Sequence, residues 1–382
     1  NRYDKEADSL ALDDPHVSIR SIKRSGENRA HEDPIAAINA ASQIPGYDLR
    51  EAYLNAVCYT WGETKGEEAA TWIQENLSGI LRADALYFAT DGWAESDPGA
   101  AAQWLMENTD GSILEDGVWE AVESWGRKDP QAAFEWVSEL DEYTAYAVMD
   151  GLAEGWGAIE PEAAASAAMG IIDKPYSLEF LSAVASQWSA VDPEAALQWS
   201  DEILREDLRG EVLTAIGQQW AHRSPEDAAS RVLEIEDAGN RRFAMTGIAI
   251  GWSEHDPEGA VEWAIESAED TNQLQNMVGD IVFNWTLADP QDTAEWLQKA
   301  ADGPGRDIVV AEFGSSIFNV DPYSAVSWAA TISNPELREP LLREMIGEWH
   351  STQGSSALQE LEEIELPDGF TLDFLQGSGE GD

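Results

Sequence analysis

The sequence predicts an all-α protein, a right-handed α-solenoid (superhelix) of about ten helix-turn-helix repeats. Three observations lead to this fold. An aromatic residue recurs every 31 to 33 residues, an Asp-Pro dipeptide or a close equivalent follows it at a nearly constant distance, and small and large apolar residues recur after that dipeptide. Repetition at this length is typical of stacked helix pairs, because a single pair cannot bury both of its apolar faces.

The aromatic position is Trp in nine repeats and Phe in one. Its members are Trp61, Trp93, Trp125, Trp156, Trp188, Trp220, Trp252, Trp285, Phe318 and Trp349. Apolar residues mostly stand seven and four positions earlier, as Leu181 and Val184 stand before Trp188, and these offsets mark one face of a helix. We therefore expect the ten aromatic residues to close the first helix of each pair and to pack in the repeat core.

The dipeptide predicts the start of the second helix. In Asp192-Pro193 the carboxylate is suited to accept hydrogen bonds from free N–H groups at the N-cap, and Pro at the first helical position loses no hydrogen bond. The same Pro prevents the preceding helix from continuing. Three residues later comes a small residue, here Ala196, and six residues later often another Trp, here Trp199. We expect the small residue to let neighbouring helices approach closely.

The segment from Asp192 to Trp199 resembles the opening of a tetratricopeptide repeat, a family whose repeat length of about 34 residues is near the one found here. The Leu-Gly and Tyr positions that follow the Trp in that family are missing from this chain. The chain is thus similar to tetratricopeptide-like or HEAT-like α-solenoid repeat proteins, over the span 30–360. The resemblance implies protein or peptide binding, or assembly.

The charge of the chain limits its partners. There are 74 Asp or Glu against 22 Lys or Arg, a net charge of −52, so the surface must be strongly solvated or screened. Nucleic acid is excluded as a partner, since phosphate binding requires the opposite sign. No run of about 18 apolar residues is present, so we expect no membrane insertion.

Composition also bears on the compartment. The chain starts at Asn1 rather than Met, and removal of a signal peptide is one interpretation. Together with the acidic surface, this favours a secreted or cell-surface protein, with a periplasmic protein as the alternative. Cys58 is the single cysteine, which excludes an intramolecular disulfide, and its apolar neighbours predict a buried thiol.

Catalytic and metal-binding patterns are missing from the sequence. We find no nucleophile elbow, phosphate loop or dinucleotide fingerprint, and we expect no enzyme, no cofactor and no specific metal site, only weak, non-specific binding of divalent cations. The five His have no spacing expected to bring two of them to one metal; they are His16, His31, His222, His255 and His350. The many Trp could stack on sugars, but all except Trp119 recur with the repeat, which favours packing.

Two Asn-x-Ser/Thr sequons occur. Asn76 stands at the predicted end of a helix and is the candidate glycosylation site. Asn284 lies inside a repeat helix beside Trp285, which argues against its modification.

The ends of the chain depart from the repeat and divide it into an N-terminal arm (residues 1–29), a repeat domain (30–365) and a C-terminal tail (366–382). The arm is locally basic and has a partly alternating pattern that suggests an extended segment, while the tail holds a short apolar stretch. The candidate self-assembly residues are Arg20, Lys23, Arg24, Arg29, Phe370, Leu372, Phe374 and Leu375. The alternative is that both ends fold back onto their own solenoid.

Two functions follow from this reasoning. The preferred hypothesis is a non-enzymatic structural protein whose copies stack head to tail through the terminal arms into an extracellular fibre or surface layer. The alternative is a monomeric secreted or periplasmic scaffold that binds a protein or peptide.

Overall fold

A computed structural model describes residues 18–378. Over this range the chain forms 21 α-helices, two short 3-10 helices and no β-strand. Each helix packs mainly against helices that are close to it in the chain. The predicted all-α, solenoid-like fold is therefore confirmed. None of the helices in the described range is long and apolar enough to span a bilayer.

The chain divides into two compact units, which meet in sequence between Trp188 and Ser189, inside helix α10. The helices of unit 1 are α1 (Ile19–Glu32), α2 (Pro34–Ala40), α3 (Tyr47–Asn76), α4 (Gly79–Ser96), α5 (Pro98–Asn108), α6 (Gly111–Lys128), α7 (Pro130–Glu139), α8 (Glu142–Gly157), α9 (Pro161–Gly170) and α10 (Ser177–Val191), with a 3-10 helix at Ala41–Gln43.

Unit 2 continues the same alternation of longer and shorter helices. Its helices are α11 (Pro193–Ser200), α12 (Glu206–Arg223), α13 (Pro225–Val232), α14 (Ala238–Ser253), α15 (Pro257–Ser267), α16 (Thr271–Ala288), α17 (Pro290–Lys299), α18 (Pro304–Ile317), α19 (Pro322–Ala330), α20 (Pro335–Gln353) and α21 (Ser355–Leu361), followed by a 3-10 helix at Asp373–Ser378.

The predicted Asp caps join the two helices of a pair. The backbone N–H of Asp97 donates to the carbonyl of Trp93 at 2.8 Å, while its carboxylate accepts the N–H of Ala100 at 3.1 Å. One residue thus ends the first helix and starts the second. Seven Asp residues cap a second helix with their side chains: Asp33, Asp97, Asp129, Asp192, Asp256, Asp289 and Asp321.

The turn persists where the dipeptide is missing. Helix α3 runs through both members of a pair, but Lys65 inside it has φ −150° and ψ 62°. These angles are close to those of the capping residue Asp97, φ −151° and ψ 79°. The helix pair therefore keeps its geometry at Lys65 without a capping carboxylate.

Glycines next to the repeat aromatics bring neighbouring first helices into backbone contact. A Cβ atom added to Gly62 would lie 1.9 Å from the carbonyl oxygen of Ala89, and one added to Gly251 would lie 2.0 Å from that of Gln218. Any side chain there would separate α3 from α4, or α12 from α14. The alanines after the Asp-Pro dipeptides are buried as expected, but these glycines make the closest approaches.

Four arginines hydrogen-bond to the loops that precede the first helices of their pairs. Each donates to a carbonyl six residues earlier and stands eleven residues before a repeat aromatic. The bonds run from Arg50 to Ile44 (3.2 Å), from Arg209 to Ile203 (2.7 Å), from Arg241 to Ile235 (2.6 Å) and from Arg338 to Ile332 (2.9 Å). These four cations therefore serve the repeat itself, since each satisfies a loop carbonyl that has no helical partner.

The single cysteine lies in the core of unit 1. Cys58 is 1% exposed within α3, and desolvation by burial raises the pKa of its thiol to about 12. The buried thiol predicted from its apolar neighbours is confirmed.

Replacing Gly251 with Ala is expected to lower the free energy of unfolding by about 1–3 kcal/mol, because the new methyl group would overlap the Gln218 carbonyl. Gly279 in α16 is the matched control, since no atom of a neighbouring element lies within 4 Å of its added Cβ. Gly279→Ala should instead stabilise the protein by about 0.5–1 kcal/mol through helix propensity. Urea denaturation followed by tryptophan fluorescence measures both variants. A Gly251→Ala protein as stable as the unmodified one would contradict the close contact.

Candidate interaction surfaces

The ten repeat aromatics lie within the packed helices, and none of them is exposed. Six are buried, namely Trp61, Trp93, Trp156, Trp188, Trp285 and Trp349, and four are half-buried, namely Trp125, Trp220, Trp252 and Phe318. In several repeats the ring packs on the Trp eleven residues later. The centroids of Trp61 and Trp72, for example, are 5.7 Å apart with the ring planes tilted by 51°.

Trp119 has a separate contact. Its indole N–H donates to the carboxylate of Asp150 at 3.0 Å, and a Cβ added to Gly151 would meet this indole at 3.1 Å. The side chain thus links α6 to α8, so its position outside the repeat pattern has a packing explanation within unit 1.

The N-terminal basic residues occupy a helix, and the extended segment predicted there is wrong from residue 19 onward. Ser18 caps α1, and Ile22, Gly26 and Ala30, which lie four residues apart, face the core. This helical spacing outweighs the short alternation of apolar residues from which the extended segment was predicted. The predicted boundary between residues 29 and 30 falls inside α1, which packs against α3. Residues 1–17 of the predicted arm lie outside the described residues.

The four basic residues of α1 differ in exposure. Arg20, Lys23 and Arg24 are exposed, and Arg29 is half-buried. Arg29 lies beside Tyr53, where its positive charge and hydrogen bond oppose the larger effect of burial, which raises the Tyr53 pKa. The exposed side of α1 is therefore basic.

The C-terminal apolar residues fold back onto the last helix pair of unit 2. Phe370, Leu372, Phe374 and Leu375 are half-buried against the core that α19, α20 and α21 form. The guanidinium of Arg343 lies over the Phe370 and Phe374 rings, 5.2 and 5.0 Å from their centroids, a cation–π arrangement. The described part of the tail therefore covers its own unit, as in the alternative considered for both ends.

Two histidines lie close together in unit 2. The ring centroids of His222 and His255 are 4.6 Å apart, and His222 Nδ1 lies 2.6 Å from a carboxylate oxygen of Glu254. His222 and His255 are 33 residues apart in the sequence, about one repeat, so they lie on neighbouring helix pairs. Nevertheless, no cluster of three or more His, Cys, Asp or Glu suited to a metal ion occurs among the described residues.

Carboxylates form an acidic face on α4 and α6. Burial raises the pKa of Asp91 to about 6, and the nearby charges of Glu120 and Glu95 add to this effect. Burial, followed by the charge of Glu123, also raises the pKa of Glu120. These carboxylates are crowded and partly desolvated, so that protonation relieves their repulsion.

An apolar groove of about 700 Å³ opens between α2, α3 and α4, and we call it the unit 1 groove. Its large apolar lining residues are Ile38, Tyr47, Leu54, Leu77, Ile80 and Leu81, and its charged residues are Arg50, Glu51 and Asp84. Tyr47 and Ile80 are 67% and 77% exposed. Sequence reasoning missed this groove. The signal was a departure from the repeat, because no other repeat has Ile, Leu, Val or Met at the position of Ile80, thirteen residues before the aromatic.

A groove at the same register in unit 2 has a different lining. Leu197 and Leu213 stand there at the repeat positions of Ile38 and Leu54, but Glu194, Asp201 and Glu234 dominate the surface. Arg231 bridges this acidic lining, with its Nε 2.6 Å from Glu194. The repeat fold therefore does not require an apolar groove at this position.

The candidate glycosylation site is the last residue of α3. Asn76 is exposed, and its side-chain amide donates to the Trp72 carbonyl at 2.9 Å. Ser78, the third residue of the sequon, is also exposed. Modification of Asn76 stays a prediction.

Comparisons with known proteins add no relative to this description. No protein family, curated protein or solved structure matches the chain.

Replacing Asp91 with Asn should stabilise the protein in a pH-dependent way. The folded-state pKa of about 6 lies above the ordinary value of 3.8. The charged carboxylate therefore destabilises the folded state most at pH values above about 6. Asp91→Asn should raise the free energy of unfolding at about pH 8 by about 1 kcal/mol, a value reduced for the partial exposure of the group. The gain should vanish by about pH 4, where the folded protein holds the Asp91 proton.

Urea denaturation across this pH range measures the effect of Asp91→Asn. Glu115→Gln is the control, because Glu115 is an exposed carboxylate on the same pair of helices, and it should change stability little at either pH. A gain at Asp91 that does not depend on pH would show that loss of its charge is not the cause.

Proposed function

We propose that the chain is a non-enzymatic structural protein whose copies assemble head to tail, with the first helix of unit 1 in one copy meeting the last helix pair of unit 2 in the next. The observation that carries this proposal is the opposite charge of these two surfaces. Such a contact uses two different surfaces of each copy, so it continues from copy to copy unless the arrangement closes into a ring.

The first surface is the exposed side of α1. Helix α1 contains four Lys or Arg and two Glu, and Arg20 and Lys23 lie on its exposed side. In a chain of net charge −52, this helix is a local reversal of sign. An acidic partner surface is therefore attracted to it, while most of the remaining surface repels such a partner.

The second surface is the end of unit 2. The 39 residues after Arg343 contain ten Asp or Glu and no Lys or Arg. Glu360, Glu362, Glu363 and Glu365 are all exposed at or just after α21. In this proposal the apolar tail residues hold the acidic end in place on its own unit rather than bridging two copies.

Ionic strength should govern the contact. At low salt the like charges of two copies repel each other over tens of ångströms, whereas at about 0.15 M salt the Debye length falls to about 8 Å. Charge pairs in direct contact are screened less than distant ones. Assembly is therefore favoured at moderate salt.

The alternative function is a monomeric scaffold that binds another protein or a peptide, and the exposed apolar lining of the unit 1 groove favours it. A tetratricopeptide-like or HEAT-like origin of the repeats and a location outside the cell, in a fibre or surface layer, are further parts of the proposal. The paired helices and the acidic surface are the observations that support them.

Reversing the charge of α1 should abolish assembly. We expect the unmodified protein to form concentration-dependent multimers in sedimentation velocity at about 0.15 M NaCl, and the Arg20→Glu/Lys23→Glu variant to sediment as a monomer. Glu362→Lys/Glu363→Lys should also be monomeric alone. A mixture of the two variants should assemble, because the acidic α1 of the first variant fits the basic residues after α21 in the second.

The control is Lys65→Glu/Lys299→Glu, which changes the net charge equally at exposed positions away from both surfaces. It should assemble like the unmodified protein. An unmodified protein that stays monomeric at every concentration and salt would refute the proposal and leave the scaffold function. A control variant that loses assembly as completely as the α1 variant would refute the role of α1.

A further inference from the structure

We propose that the unit 1 groove binds a segment of another protein that presents large apolar side chains flanked by Lys or Arg. This site is independent of head-to-tail assembly, since its lining residues come from α2, α3 and α4 and from the loops between them.

The apolar lining is not explained by the packing of the repeat. The unit 2 groove at the same register has Leu197, Leu213 and the half-buried Ile235 as its large apolar residues and surrounds them with carboxylates. The rim residues Tyr47 and Ile80 of the unit 1 groove are instead largely exposed. Adjacent apolar side chains left in water on a highly charged protein mark a surface that another molecule covers.

The dimensions of the groove suit side chains of a partner. Its volume of about 700 Å³ lies within the range of about 300–1,000 Å³ that is common for binding sites. The groove is open rather than enclosed, and two helix starts, those of α3 and α4, border it. An open groove between helices accepts a chain segment that enters and leaves at its sides.

Charge selects among such segments. Glu51 and Asp84 are polar residues of the lining, and the guanidinium of Arg50 donates to the Ile44 carbonyl at 3.2 Å. Arg50, the cation of the lining, is thus already bound to the loop. The surrounding chain is strongly acidic, so an acidic segment is repelled and a basic one attracted. Apolar side chains then supply short-range affinity, and Lys or Arg supply attraction to the rim.

The test uses a fluorescein-labelled synthetic peptide of Leu and Lys with the Leu residues on one helical face. Fluorescence anisotropy is measured at about 0.5 M NaCl, where non-specific attraction to the acidic surface is largely screened. We expect Ile80→Ser to weaken binding about tenfold or more, the effect of losing one buried apolar side chain. A peptide of Leu and Glu should not bind.

Leu287→Ser is the matched control, since Leu287 in α16 is 75% exposed and Ile80 is 77% exposed. It should leave the affinity unchanged. Circular dichroism of both variants verifies the fold, and Tyr47→Ser provides a second groove variant that should weaken binding as Ile80→Ser does.

Three results would overturn the proposal. The first is an affinity that neither groove variant changes, which would place the peptide elsewhere on the surface. The second is tighter groove binding of an uncharged apolar dye than of the peptide, which would make this a small-molecule site. The third is peptide binding only after residues 1–17 are deleted, which would assign the groove to that segment of the chain itself. Since each measurement works on a monomer, failure here is distinguishable from failure of head-to-tail assembly.

Discussion

The architecture depends on the reversal that joins the two helices of each pair, and at seven of these reversals an Asp side chain caps the second helix. The backbone N–H of a capping residue such as Asp97 donates to the last turn of one helix, and its carboxylate accepts a hydrogen bond from the first turn of the next. The following Pro makes continuation of the first helix impossible. Because this reversal recurs with the repeat, aromatic rings, small residues and loop arginines return to equivalent positions. The unit 1 groove and its acidic counterpart lie at one register because the reversals are regular.

The distribution of charge follows from the same regularity. Four of the scarce cations stand eleven residues before a repeat aromatic and bind loop carbonyls, and of these Arg241 also pairs with Glu269. Acidic residues accumulate on the outer sides of the helices, and burial together with the crowding of like charges raises the pKa of Asp91. The exposed cations of α1 stand out against this background, which is why they offer a basis for recognition between copies.

The fold could be predicted from local signals, whereas the surfaces depended on contacts between repeats. The Asp-Pro caps and the Trp spacing are short-range patterns with direct structural meaning, and helix pairs follow from them. The α1 helix was missed because two or three alternating apolar residues resemble a strand, while its core-facing Gly26 and Ala30 carry little hydrophobic signal. The contact between His222 and His255 could be predicted only by aligning residues that are one repeat apart. The groove required noticing that Ile80 alone is an Ile, Leu, Val or Met at its repeat position. The right-handed sense of the superhelix stays a prediction.

Burial of Cys58 makes this thiol a natural reporter. An alkylating reagent reacts with the thiolate, and a side chain that is 1% exposed with a pKa near 12 presents almost none. Alkylation of Cys58 therefore requires a local opening of α3 that exposes the thiol. Since the chain has no other cysteine, the rate of alkylation reports local opening of this one helix in the unaltered protein. No probe has to be introduced.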